Sequence, residues 1–192
     1  MSFFEITDEM LNSKRWHLEE PRVLGQTEPL DFWPLISGEE VNERSFRNLN
    51  APIQQEGQSL SFTFGAFLIP YVNKEVGKII LSLSESACRL LPCLIGGMDL
   101  GYSVLVVSKK LKCLDHQRSL VEYYREEDFF EGEQKRVGQI KSLVSAKIHS
   151  DKVPVGVHLF RLEEDLTRLV ASKALMTALK RANVSGIAFQ EI

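Results

Sequence analysis

Four histidines are the side chains of this sequence best suited to acid–base chemistry: His17, His116, His149 and His158. A nucleophilic triad needs a Ser or Cys within reach of a His that a carboxylate orients. None of the four lies in a known nucleophile motif. The sequence also contains neither a Gly-Xaa-Ser-Xaa-Gly elbow nor a glycine-rich phosphate-binding loop before a helix. We therefore predict no catalytic residues.

One alternative remains open among these residues. Asp115 and His116 are neighbours in the sequence, and His158 begins an apolar segment. Adjacent residues on a strand point to opposite faces, so the Asp115–His116 pair fits a turn better than a shared site. A small hydrolase assembled from Asp115, His116 and His158 is a third-ranked hypothesis, which loss of turnover in His116→Ala or His158→Ala would support.

The three cysteines, Cys88, Cys93 and Cys113, are odd in number and lie in apolar surroundings. A zinc site needs closer cysteine pairs and nearby histidines, which this spacing does not provide. The pattern favours buried, reduced thiols in a cytosolic protein. We predict no metal and no cofactor.

Carboxylates and aromatic rings alternate between residues 122 and 133. Acidic groups that surround aromatic anchors suit a surface that meets a basic protein. The alternative interpretation is a solvated connector whose phenylalanines pack into the protein's own core. The residues predicted to bind a partner are Glu122, Tyr123, Tyr124, Glu126, Glu127, Asp128, Phe129, Phe130, Glu131 and Glu133.

Composition and charge restrict the class of partner. The 192 residues are 44% apolar and 26% charged, with a net charge of −3. Nucleic-acid binders usually present a basic face, whereas residues 1–43 have a clear acidic excess. The longest apolar run, residues 64–72, is about half as long as a membrane-spanning helix requires, and the N-terminus lacks the features of a signal peptide. We expect a cytoplasmic protein with no direct nucleic-acid or membrane ligand.

The clearest structural unit lies at the C-terminal end. Residues 158–162 and 166–170 are rich in large apolar side chains and are predicted to form strands on either side of an acidic turn. Ser172 fits the N-cap of a following helix, which Asn183 and Gly186 can end with positive φ angles before a last strand at residues 187–189. The apolar face of this helix consists of Leu175, Met176, Leu179 and Ala182.

A similar unit is predicted earlier in the chain. Residues 59–64 alternate like a half-buried strand, Asn73 fits a second N-cap, and residues 88–91 form a further strand. The helix between them takes its apolar face from Val76, Ile79, Ile80 and Leu83. Aligning Asn73 with Ser172 pairs the two helices position by position, which is compatible with an internal repeat or with chance.

The remaining segments complete a prediction of the α+β class. Further strands are expected at residues 102–107, 111–114 and 120–124 and after residue 142, with a turn at residues 115–118. Residues 1–56 lack periodicity and are predicted to wrap over the domain and to bury Trp16 and Trp33. The predicted architecture is a mixed, mainly antiparallel sheet with two strand–helix–strand units and an irregular N-terminal arm. We expect a single domain, 1–192, with an arm at 1–56 and a core at 57–192.

Several segments from residue 100 onward follow one another in a familiar order. They are LGYSVLVVSKKLKCLDHQRSLVEYY, VGQIKSLVSAKIHSDKV, HLFRL and LVASKALMTALKRANVSGIAF. In this order and spacing the chain resembles immunity-protein family eleven of bacterial polymorphic-toxin systems, over roughly residues 57–192. The resemblance implies an antitoxin that protects the producing cell by binding the toxic domain of a cognate secreted effector. It implies no reaction of its own and suggests a nuclease as the toxin.

A second hypothesis is an adaptor or chaperone that delivers an effector without neutralising it. Co-expression with the toxin separates these two hypotheses, because an adaptor would leave the toxin lethal.

Overall fold

The fold is given by a computed structural model that describes residues 2–9, 14–26, 30–39, 45–128 and 136–192. The first half contains β1 (Phe3–Asp8), β2 (His17–Leu18), β3 (Arg22–Val23), α1 (Trp33–Ser37), β4 (Leu49–Ala51), β5 (Ile53–Gln55), β6 (Phe62–Phe64), β7 (Pro70–Asn73), α2 (Lys74–Ser84) and β8 (Cys88–Ile95). The second half contains β9 (Met98–Val107), β10 (Lys110–Leu111), β11 (Leu120–Tyr123), β12 (Ile140–Ser145), β13 (Leu159–Leu162), β14 (Asp165–Ser172), α3 (Lys173–Arg181) and β15 (Ile187–Glu191).

Two mixed, mainly antiparallel sheets dominate the described chain. One has the strand order β3-β4-β8-β9-β7-β6 and the other has the order β10-β13-β14-β1-β15. Only the β4–β8 and β10–β13 pairs are parallel within these sheets. The predicted α+β class is therefore confirmed.

The two strand–helix–strand units have the same plan. In the first, α2 connects β7 to β8, and β9 lies between these strands and is antiparallel to both. In the second, α3 connects β14 to β15, and β1 occupies the corresponding middle position. Each helix begins at the expected side-chain cap, since Asn73 Oδ1 accepts from Val76 N–H (3.0 Å) and Ser172 Oγ accepts from Leu175 N–H (3.3 Å).

Three apolar clusters lie in successive layers. The first packs the N-terminal segment, including Trp16 and Leu35, against one face of the six-stranded sheet. The second lies between the sheets and includes the buried faces of α2 and α3. The third packs β12, through Leu143, against the outer face of the five-stranded sheet.

Several local predictions were wrong. The strand expected from residue 59 is limited to β6, where Thr63 is buried along with the two phenylalanines. The strand expected at residues 111–114 is limited to β10, and Leu114 forms only an isolated bridge to Ile148. Ala182 is exposed because α3 ends there.

The N-terminal segment also differs from its predicted packing. Trp16 is buried as expected, but Trp33 is 48% exposed. Elements between residues 14 and 56 are short, whereas β1 is a full strand whose backbone pairs with β14 on one side and β15 on the other. None of the helices formed by the described residues has the length and apolar character needed to span a lipid bilayer.

Candidate partner-binding surface

The predicted partner-binding residues lie on a two-stranded ribbon formed by β11 and β12. Within the described chain these two strands pair only with each other. Val121 lies opposite Leu143 and both pack toward the third apolar cluster. Glu122 and Tyr123, which follow Val121 in β11, are both exposed.

The acidic segment begins inside the ribbon and continues beyond it. Glu122 and Tyr123 belong to β11, and Glu126–Asp128 forms one turn of 3₁₀ helix with exposed side chains. The strand predicted at residues 120–124 is therefore present as β11, and it includes the first two residues of the predicted partner-binding set. Phe129, Phe130, Glu131 and Glu133 lie outside the described residues.

Two of these carboxylates, Glu127 and Asp128, form ion pairs within the acidic segment and with β12. Asp128 pairs with Lys141 of β12 and also accepts from Arg125 N–H (2.8 Å), while Arg125 Nη1 lies 3.3 Å from Glu127 Oε1. The hydrogen bond from Lys141 holds the pKa of Asp128 below its ordinary value, and the same contact raises the pKa of Lys141. Within the described residues, Glu122 and Glu126 form no hydrogen bond or ion pair, so their charges face outward.

The two tyrosines are held by polar neighbours. Tyr123 Oη lies 3.1 Å from His116 Nδ1. The Tyr124 ring lies beneath two cations, with Arg136 Cζ 4.8 Å and Lys141 Nζ 5.9 Å from its centroid. Outward-facing carboxylates thus stand next to positioned aromatic rings, which is the arrangement expected of a protein-binding surface.

Two open clefts adjoin the ribbon and share Lys141. One, of about 410 Å³, lies over β11 and is lined by Glu122, Tyr123 and Asp128 among others. The other, of about 370 Å³, lies between the ribbon and β1 and β14. Its floor contains the ion pair of Arg168 Nη1 with the buried Glu5 Oε1 (2.6 Å). Arg168 also donates to the Leu143 carbonyl and so ties the ribbon to the five-stranded sheet.

The residues of the hydrolase hypothesis do not form one site. Asp115 is buried and pairs with Arg118 Nε (2.5 Å), which holds the pKa of this carboxyl below its ordinary value. His116 contacts Tyr123, and His158 Nδ1 lies 2.8 Å from the cap hydroxyl of Ser172. Ser172 is itself buried, and its hydroxyl caps α3 by accepting a hydrogen bond from Leu175 N–H, so its contact with His158 belongs to the start of this helix.

Neither cleft beside the ribbon is lined by Asp115, His116 or His158. Among the described residues no group of three or more His, Cys, Asp or Glu side chains is placed to hold a metal ion.

A family comparison identifies the role of the chain. The model of an immunity protein family, Imm11, matches residues 97–192, half of the chain. The chain belongs to this immunity protein family. A search of curated proteins found no match.

Membership assigns this immunity protein a role in protection against a toxin, and its partner is a cognate toxin protein. The matched region begins just before β9 and includes the whole ribbon, α3 and the C-terminal strand. It is narrower than the resemblance described from the sequence, which began near residue 57. The middle strand of the five-stranded sheet, β1, lies outside the match, although β14 and β15 both pair with it.

Sequence reasoning missed Lys141 and Arg168, which position the acidic segment and the ribbon. No local pattern indicated either residue, because the pairing of Lys141 with Asp128 depends on the bulged register between β11 and β12. The contacts of Arg168 with Glu5 and Leu143 bring together three distant strands.

Proposed function

We propose that this immunity protein neutralises a nuclease toxin by placing the acidic side of its ribbon over the toxin's basic active-site surface. Binding in the cytoplasm of the producing cell excludes nucleic acid from the toxin, and the immunity protein itself carries out no turnover. The observation that carries this proposal is the pair of outward-facing carboxylates, Glu122 and Glu126, beside the exposed Tyr123.

Charge supports the choice of a nuclease. A nuclease must attract phosphates, so its active-site surface tends to be basic. Carboxylates on the opposing surface speed the encounter and select the partner more than they increase affinity. Glu122 and Glu126 are suited to this role, because within the described residues no ion pair neutralises them.

The other two carboxylates contribute differently. Asp128 and Glu127 are bound to Lys141 and Arg125, so reversing their charge would change the shape of the segment along with its field. A variant at Glu126 tests charge complementarity without breaking a described contact, whereas Glu122 also contributes to raising the pKa of Lys141.

The experiment measures association with an inactivated form of the toxin domain encoded beside this gene. We expect Glu122→Lys and Glu126→Lys each to lower the association rate by about three- to tenfold at low salt, and to flatten its dependence on ionic strength. Glu56→Lys is the matched control, since Glu56 is also an exposed carboxylate but lies outside the ribbon. Equal rates and salt slopes for all three variants and the wild type would remove the ribbon from the interface.

Co-expression tests the broader role. Cells that produce the active toxin should survive with the immunity protein and die without it, and the purified toxin should degrade nucleic acid until an equimolar amount of the immunity protein is added. A toxin that stays lethal would favour the adaptor hypothesis, and a toxin with another substrate would exclude the nuclease.

A further inference from the structure

The hairpin that joins β6 to β7 has an unusual tip. Phe67 and Leu68 both adopt left-handed backbone angles, with φ of 56° and 58°. This region suits Gly and Asn, and it strains residues with larger side chains. The other two described non-glycine residues with positive φ are Asn48 and Asn183, which tolerate it. Strained backbone of this kind is concentrated at functional sites.

The base of the hairpin holds this tip in place. Gly65 N–H donates to the Ile69 carbonyl (2.9 Å), and Ile69 N–H donates to the Ala66 carbonyl (3.3 Å). A Cβ at Gly65 would lie 2.6 Å from Tyr71 Cε2, so the chain passes close to a fully buried ring. These contacts close the turn at its base, and Phe67 and Leu68 lie at its tip with exposed side chains.

These side chains belong to an apolar surface, the Phe67 patch, formed by Phe32, Phe67 and Leu68 together with the exposed Trp33, which follows Phe32 in the chain. Phe67 is 57% exposed and Leu68 46% exposed. The Phe67 ring stacks on Phe32, with centroids 4.5 Å apart and planes 21° from parallel. Single exposed apolar residues are ordinary on protein surfaces, but a preorganised aromatic cluster is typical of a binding anchor.

The Phe67 patch is continuous with the acidic ribbon. Leu68 lines the same cleft as Asp165, Arg168 and Lys141. Lys141 also lines the cleft over β11, where the carboxylates of the ribbon begin. One face of the molecule thus has an apolar cluster at one end and an acidic border at the other.

We propose that the Phe67 patch is the apolar anchor of the toxin-binding surface and inserts into an apolar pocket beside the basic active-site surface of the toxin domain. This inference rests on the proposed function and extends it to a second region. The acidic ribbon then accelerates and orients the encounter with the toxin. The aromatic rings of the patch, once buried in the toxin's pocket, slow dissociation. Charge complementarity selects a basic toxin as the occupant, because the exposed carboxylate of Glu122 lines the neighbouring cleft, which shares Lys141 with the cleft beside Leu68.

Two variants separate binding from folding. Phe67→Gly removes the ring and relieves the strain of a positive φ, so its urea-unfolding midpoint should stay close to that of the wild type. Trp33→Ser alters the patch from α1, outside the strained turn. Met98→Ser is the matched control, because Met98 is 54% exposed at the start of β9 and lines neither of the two clefts beside the ribbon.

Dissociation of the complex with the inactivated toxin domain is the measurement. We expect Phe67→Gly or Trp33→Ser to raise the dissociation constant about tenfold or more through faster dissociation, with the control within about twofold of the wild type. If the wild-type complex forms and both variants bind within about twofold of the wild-type affinity, the Phe67 patch is not the anchor of the toxin-binding surface.

Two further measurements complete the test, one of toxin neutralisation by the wild-type protein and one of the oligomeric state of the immunity protein alone. A wild-type protein that does not bind or neutralise the toxin would reject the proposed function itself. Sedimentation of the immunity protein alone provides the second check, and a dimer that becomes a monomer in Phe67→Gly would assign the patch to self-association and overturn its role as a toxin anchor.

Discussion

At the scale of single residues, Ser172 shows how one side chain connects two elements. Its hydroxyl accepts the Leu175 N–H at the start of α3 and lies 2.8 Å from His158 Nδ1, at the beginning of the strand that pairs with β14. Asn73 performs only the first of these functions at the start of α2. The two caps therefore form a natural matched pair.

We expect Asn73→Ala to lower the free energy of unfolding by about 1 kcal/mol, the usual effect of losing an N-cap. Ser172→Ala should cost more, because it also leaves the half-buried His158 without its hydroxyl partner. Urea unfolding measures both, and Ser86→Ala, at an exposed position, is the control. Equal losses for the two cap variants would show that the His158 contact contributes nothing.

Asp115 makes a pH-dependent contribution. Arg118 lowers the folded-state pKa of Asp115, so the carboxylate stabilises the fold above its unfolded pKa of about 3.9, and this contribution is lost as the pH falls through the folded value. The wild type should therefore be more stable than Asp115→Asn at pH 7, and the difference should shrink as the pH approaches the folded pKa. Urea unfolding at several pH values measures it, and a constant difference would contradict the linkage.

At the scale of elements, β1 is the strand on which the second sheet depends. Its backbone pairs with β14 and β15, and Ile6 contributes to the cluster between the sheets while Thr7 lies only half buried. The family match lies entirely outside this strand. Residues before the matched region are therefore part of the sheet that supports the ribbon.

We expect Ile6→Ala to lower the free energy of unfolding by about 2–5 kcal/mol, because it removes a buried side chain from close-packed surroundings. Thr7→Ala, on the same strand, should change it by less than about 1 kcal/mol. The two variants are compared by thermal and urea unfolding. Similar small effects would mean that β1 is only loosely attached.

At the scale of the whole molecule, we propose that the chain folds as one domain in which β1 is part of the core with residues 57–192, and the rest of residues 1–56 forms an arm on that core. The cysteines provide a direct test, since each lies in a different apolar cluster: Cys93 in the first, Cys88 in the second and Cys113 in the third. All three are buried free thiols. Burial raises the pKa of Cys93 to about 12, and those of Cys88 and Cys113 to about 11.

The native protein should therefore react very slowly with iodoacetamide at pH 8, because the thiolate is the reactive form. With increasing urea, all three cysteines should become reactive over the same concentration range if the clusters unfold together. Mass spectrometry of the labelled peptides gives the three midpoints separately. Earlier labelling of Cys93, next to the N-terminal segment, would show that the arm detaches from a folded core.

The sequence by itself determined the features that depend on neighbouring residues. Both helix caps, the apolar face of α2, the apolar face of α3 apart from Ala182, and the positive φ at Asn183 follow from local hydrogen bonding and side-chain size. The α+β class and the family also followed from the order of these local segments. The acidic and aromatic composition of the ribbon was visible for the same reason.

Only the tertiary structure decided which distant segments meet. It placed β1 in the middle of the second sheet, buried Arg161 in an apolar strand with the Leu166 carbonyl as acceptor, and stacked Phe32 on Phe67. It also showed that Asp128 is bound to Lys141, whereas within the described residues Glu126 has no such partner. Long-range pairing depends on the register of strands and on packing across layers, and no local periodicity records either.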